Sequence, residues 1–421
     1  MNELHSHKLL RLLDVIIEGG LISILIFTPL ARGAVRLWSI TPVQVVTLII
    51  LCAWFLKMNT EGKFCLKRTP LDLPILLVTI LAVISAAFSI YRHDSILELY
   101  RLLTYLTIYY IVINNINTRE KITRLISVII SIGAFLSLFG LIQYLGGMPH
   151  NYWRPEKFLA STYVNHNHFA GYLEMAIPLT IGLLFTNLNK EKKILLGFLA
   201  MVMILAFILS MSRGAWVSFT ISLFIMGMFL SKKGLLGARV WIPILCGMII
   251  FFALTQFGLE PIMERTRTIA DGVGIDETRI KIWQGTVNLI KAHPFIGSGI
   301  GTFDHTFPKY KPVMAPNIRP VYAHNDYLHI IAELGIFALL LIVWMILSIL
   351  RRGFRIYNVT KSSFKRGVTL GASTGVISIL LHSLTDFNLH IPANAILFTT
   401  LVGIIMVSNS SKEHSEQANF N

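Results

Sequence analysis

Between Ile194 and Leu230 the chain runs 37 residues with a single charged side chain, Arg213. As one straight helix, at 1.5 Å per residue, that run would extend about 55 Å, nearly twice the ~30 Å hydrocarbon core of a bilayer. It therefore has to fold back on itself, and Ser212-Arg213-Gly214 supplies a natural bend. The rest of the chain is of the same kind. Of 421 residues 54% are hydrophobic and only 14% are charged, where a soluble domain carries roughly 25% charged residues. The fold class this dictates is an all-α polytopic membrane protein.

Apolar runs place about twelve transmembrane helices, near 12–30, 40–56, 71–90, 96–114, 122–145, 168–187, 194–212, 215–231, 240–258, 326–350, 367–385 and 392–408. The first run, Val15 to Leu30, lacks a small-residue cleavage site and reads as a span rather than a signal peptide. The organisation expected is spans one to nine over 1–258, an outer layer over 259–325, spans ten to twelve over 326–408, and a tail over 409–421. Net charge is +15, which invites a nucleic-acid partner, but its distribution argues for no nucleic acid. Clusters such as Lys190/Lys192/Lys193 and Arg351/Arg352/Arg355 fall on the side that the positive-inside rule assigns to the cytoplasm. Both termini then lie there, and the charge is mostly topological. Cys52, Cys65 and Cys246 all fall outside the expected outer segments, so no disulfide is expected.

The long outer segment, Leu259 to Ala323, is not of low complexity. Asp276 can cap a helix whose apolar residues Ile280, Trp283, Val287 and Ile290 recur at helical spacing, and Pro294 lies just past its end. Gly297-Ser298-Gly299-Ile300-Gly301 then reads as a flexible turn. No strand precedes it and no Gly-Lys-Ser/Thr follows, so it is a poor phosphate loop. The first and second halves show no internal repeat, which counts against a two-halved transporter.

Several polar groups sit where apolar surroundings make them costly. Arg213 at membrane depth is either an anion-binding group or a side chain snorkelling to headgroups. Arg279, one turn before Trp283, is either a second such group or a solvated charge on an amphipathic helix. Arg265 and Arg267 are weaker versions of the same. His324 precedes a helix whose first turns carry Asp326, His329 and Glu333 on one face, a polar stripe expected to line a cavity. A histidine there can move a proton, bind a metal or cap a helix, and spacing alone does not choose. His166 and His168 open the sixth span as a capping and interfacial cluster with some access to substrate. His382 and Asp386, four apart, and Glu98 and Arg101, three apart, can each pair on one helix face.

In combination these segments resemble the bacterial O-antigen ligase and O-antigen polymerase superfamily. The resemblance rests on NHNHFAGYLEMAIPL (165–179), MSRGAW (211–216), RIKIWQGTVNLIKAHPFIGSGIGTF (279–303), HNDYLHIIAELG (324–335) and DFNLHIPANA (386–395). It implies a GT-C-like, metal-independent membrane glycosyltransferase in the bacterial inner membrane. It further implies a large, partly helical periplasmic loop between the ninth and tenth helices, an active site on that side, and no cofactor. The implied donor is a glycan on undecaprenyl diphosphate, and the acceptor is another glycan or lipid A-core. Arg213 and Arg279 match the residues taken to hold the donor diphosphate, and His324 matches the residue taken to activate the acceptor hydroxyl. Arg101 is carried over with little weight, because the first ~150 residues match in hydropathy alone. A polymerase shares the donor chemistry, while a transporter of a lipid-linked or anionic solute would use the arginines without a base.

Overall fold

A computed structural model describes residues 2–146, 158–232, 277–312 and 319–407. Every regular element among them is helical. The first five are α1 (Asn2–Leu30), α2 (Leu37–Glu61), α3 (Asp72–Ala87), α4 (Arg92–Asn115) and α5 (Arg119–Leu145). Then come α6 (His166–Leu184), α7 (Lys190–Leu209), α8 (Arg213–Lys232), α9 (Glu277–Ala292) and α10 (Phe303–Tyr310). The chain finishes with α11 (Asp326–Leu334), α12 (Ile336–Val359), α13 (Ser363–His382) and α14 (Pro392–Val407).

Six of these helices, α2, α4, α5, α7, α8 and α12, are long and apolar enough to cross a membrane, and α3 and α14 are shorter apolar helices. The protein is a membrane protein by these features. Large apolar side chains also face outward, among them Leu48 at 60% exposure and Leu340 at 62%. In water such a surface would aggregate, whereas in lipid it is solvated. The expected ninth span, 240–258, lies outside the described residues, as do Arg265, Arg267, Asp276 and the tail.

The centre of the bundle is the α6–α13 pair, and its sequence explains why. Apolar helices gain little by leaving lipid for each other, so close association depends on small residues that let backbones touch. On α13, Gly367, Gly371 and Gly375 recur every four residues and lie against α6. A Cβ at Gly371 would fall 2.6 Å from the Pro178 carbonyl oxygen, and one at Gly375 would fall 2.8 Å from that of Met175. Gly182 on α6 presses on Gly367 in the same way. Both helices are buried along most of their length, which is why they tolerate inward polar residues such as Glu174, Ser373 and Ser378.

Three expectations need correction. The tenth span does not begin at Asp326. The chain breaks at Gly335 (φ +81°), so Asp326, His329 and Glu333 belong to the short α11, and the long apolar helix is α12. A Cβ at Gly335 would sit 2.0 Å from the Phe295 oxygen, so the break is locked by packing. The Gly297–Gly301 turn is equally fixed. Gly297 abuts the Glu333 carbonyl, Ser298 N–H donates to Ala332 O at 2.9 Å, and Ser95 Oγ donates to Ile300 O at 2.6 Å. Finally, the buried face of α9 is Ile282, Thr286 and Leu289, while Ile280 and Val287 are exposed and Trp283 is half-buried. The inward face is rotated from the expected stripe because α9 packs on α10 and α11.

Candidate active site

The ends of α6, α8 and α13, together with α9 and the segment before α11, meet at one end of the bundle. Each is brought there by a local feature. Met211 adopts φ +56°, which turns the chain between α7 and α8 at Ser210–Ser212, just ahead of the expected bend, and places Arg213 and Gly214 in the first turn of α8. His324 adopts φ +51° just ahead of Asn325, whose side chain caps α11 by accepting from Leu328 N–H at 3.0 Å. Asn325 also donates to Leu384 O at 2.9 Å, and Asp326 N–H donates to Ser383 O at 2.9 Å. These bonds tie the segment that carries His324 to the loop after α13.

Asp386, in that loop, is the hub. It is 1% exposed, and its oxygens meet four side chains from α6, α9 and the segment before α11. Arg279 Nη2 lies 3.4 Å from Oδ2 while its Nη1 donates to Thr385 O at 2.7 Å. Asn167 Nδ2 donates to Oδ2 at 2.8 Å. His324 Nδ1 stands 3.4 Å from Oδ1, long for a hydrogen bond but within electrostatic contact, and His168 Nε2 stands 3.9 Å away. Burial alone would raise the Asp386 carboxyl. His324, His168, Arg279 and His382 outweigh it and hold the group well below the ordinary carboxylate range. Trp283 Nε1 donates to the His324 carbonyl at 3.4 Å and fixes α9 beside this loop.

A cavity of about 470 Å³ opens beside the hub. Arg213, Arg279, Trp283, His166, His382 and Asp386 are among its lining residues. Val217 and Ile221, one turn apart on α8, extend the lining, and both are about half exposed. His324 does not line this cavity; it lies beyond Asp386 and is 27% exposed. His166 Nδ1 is hydrogen-bonded to Ser210 O at 2.7 Å, and its ring stacks on Phe158.

The remaining sequence candidates fall elsewhere. Arg101 pairs with Glu98 at 2.8 Å, as expected, and both line a second cavity of about 170 Å³ with Tyr322, His329, Glu333 and His390. Burial, aided by Glu98, pushes the Tyr322 phenol up to about 12. Glu333 accepts backbone N–H bonds from Gly301 at 2.8 Å and Phe303 at 3.0 Å and lies 3.3 Å from His329, so it organises the turn before α10. Asp326 lines neither cavity. It is buried and bonded to His390 Nδ1 at 2.6 Å. His382 pairs with Glu174 at 2.8 Å rather than with the Asp386 side chain. The sequence reading overlooked Glu174, although a lone carboxylate inside an apolar run was signal enough.

Residues 198–343 match the O-antigen ligase family. That stretch is about a third of the chain and supports an O-antigen ligase superfamily assignment. The ligase-family segment contains Arg213, Arg279, His324, Asp326, His329 and Glu333. Arg101, His166, His168, Glu174, His382 and Asp386 lie outside it, yet the fold brings His166, His168, His382 and Asp386 to its cavity or to the Asp386 hub, with Glu174 bonded behind His382. No curated protein matches the chain. The match and the apolar helices support a membrane protein with O-antigen ligase- or polymerase-type function.

Proposed function

We propose that this protein is an O-antigen ligase-like glycosyltransferase that moves a glycan from undecaprenyl diphosphate to a hydroxyl of a lipid A-core acceptor. The observation that carries this reading is the Asp386 hub, where one carboxylate contacts both Arg279, at the cationic cavity, and His324 beyond it. Arg213 and Arg279 suit the diphosphate, since guanidinium forks match phosphate oxygens. The polyprenyl tail passes over Val217 and Ile221 into lipid.

In the reaction the acceptor oxygen attacks the anomeric carbon and the bond to the diphosphate oxygen breaks. The diphosphate leaves with the electron pair, and the anomeric configuration inverts. Positioned arginines stabilise that charge as it develops. His324 Nε2 accepts the hydroxyl proton while Asp386 holds Nδ1. The 3.4 Å separation is of the kind that tightens when substrates are bound. The Lys190 cluster and Arg351, Arg352 and Arg355 lie at the opposite end of the bundle, which by the positive-inside rule supports a site on the periplasmic face of the inner membrane.

The test is a lipopolysaccharide gel of the deletion strain complemented with the native chain or with His324→Ala, alongside a measure of lipid-linked glycan. Core lipid without O-chain, with long polyprenyl-linked glycan accumulating, is the result expected. Core carrying a single repeat would assign a polymerase instead, and an unchanged ladder would overturn both.

A further inference from the structure

Glu174 and His382 are buried titratable groups that the reaction above leaves unused. Glu174 is fully buried on α6. Its Oε2 accepts from Ser218 Oγ on α8 and Ser378 Oγ on α13, each at 2.9 Å, and its Oε1 meets His382 Nδ1 at 2.8 Å. A carboxylate in such surroundings is costly unless every oxygen has a donor. This arrangement supplies them and fixes a hydrogen on His382 Nδ1.

The other edge of the imidazole has no such partner. His382 is 1% exposed and borders the 470 Å³ cavity, and no described protein group hydrogen-bonds its Nε2. Gly214 leaves that edge uncovered. A Cβ there would fall 3.1 Å from His382 Cδ2 and 3.2 Å from Nε2. A histidine needed only to satisfy Glu174 has no reason to present its second nitrogen to a cavity between two arginines. Buried polar atoms are rarely left without a partner, and since no described protein group supplies one here, it comes from what fills the cavity, water or a ligand.

We infer that His382 is a further binding residue for the diphosphate of the donor, its Nδ1–H fixed on Glu174 and its Nε2–H donating to a phosphoryl oxygen beside Arg213 and Arg279. This rests on the donor reading above. Two anions flanking one imidazole favour the form with hydrogen on both nitrogens. The Glu174–His382 pair adds no net charge, so its contribution is direction rather than bulk attraction. Arg213 and Arg279 supply the field, and His382 sets where a phosphate oxygen comes to rest.

The experiment is binding of undecaprenyl diphosphate to the purified full chain in detergent, with thermal stability measured on the same samples. His382→Asn is the informative variant, because its amide can replace Nδ1–H on Glu174 but cannot reach the cavity. Its affinity should fall about tenfold or more, the size of one hydrogen bond to a charged group, with melting unchanged. His382→Gln, whose amide can extend toward the Nε2 position, should lose less. Native affinity in His382→Asn, with Arg213→Ala and Arg279→Ala both weakened, would overturn this inference and leave the donor reading standing. Undiminished binding in all three variants, or none by the native chain, would overturn both. Should His382→Asn fail to fold, a structure of the native protein with undecaprenyl diphosphate decides. A phosphoryl oxygen within about 3.2 Å of Nε2 supports the assignment, and a diphosphate seated away from it overturns it.

Discussion

Asp386 shows how much chemistry one side chain can organise when burial removes the competition from water. Replacing it with Asn would keep the shape but weaken the hold on Arg279 and the bias on His324. We expect transfer to fall on the order of 10²-fold or more, with insertion unaffected, in an assay with purified lipid-linked donor. At His324, Ala should cost about 10²–10⁴-fold in the same assay, the usual worth of a general base. Sequence reasoning named Arg213 as the lone charge of an apolar run, Arg279 and His324 through the motifs that carry the resemblance, and Asp386 through its spacing from His382. It could not see that His382 turns from Asp386 to Glu174, since that choice depends on helices 208 residues apart in sequence coming together.

Hydropathy made the elements legible, and every expected span but 240–258 overlaps a described helix. It could not mark the break at Gly335, which follows from contact with Phe295 rather than from local composition. Gly335→Ala combines φ +81° with a Cβ clash and should destabilise by at least about 1–3 kcal/mol; melting in detergent tests it. Gly371→Leu should prevent α6 and α13 from meeting and leave little folded protein on size-exclusion chromatography. The 3₁₀ turn Asn388–His390 offers a pH readout. Burial alone would lower His390, but its bond to Asp326 outweighs this and holds it above the ordinary histidine value. The stability this pair contributes is therefore full below about pH 6.5 and is lost as pH rises through the folded value. Melting temperature should decline on the alkaline side, and His390→Gln should flatten that decline.

Across the whole molecule, the proposed orientation makes an accessibility prediction. With the three native cysteines replaced by serine, Val321→Cys, at the site end and 58% exposed, should react with an impermeant maleimide added outside the inner membrane. Val359→Cys, 73% exposed at the far end of α12, should react only after the membrane is opened. The reverse pattern would invert the topology. The bundle and its polar end were readable from the sequence because lipid imposes a simple rule on every span. The arrangement of α9 to α11 was less so, since outside lipid the burial pattern depends on which partner each helix meets.

The glycine-lined seam between α6 and α13 has a consequence for traffic. Two backbones in contact cannot part without breaking the molecule, so this seam is a wall and not a door. A lipid with a long tail diffuses in the plane of the bilayer and has to enter where side chains, not backbones, form the boundary. On the proposed reading that boundary is the α8 flank with Val217 and Ile221, which line the cavity. Bulk added there should slow the arrival of donor while leaving the chemistry behind it intact.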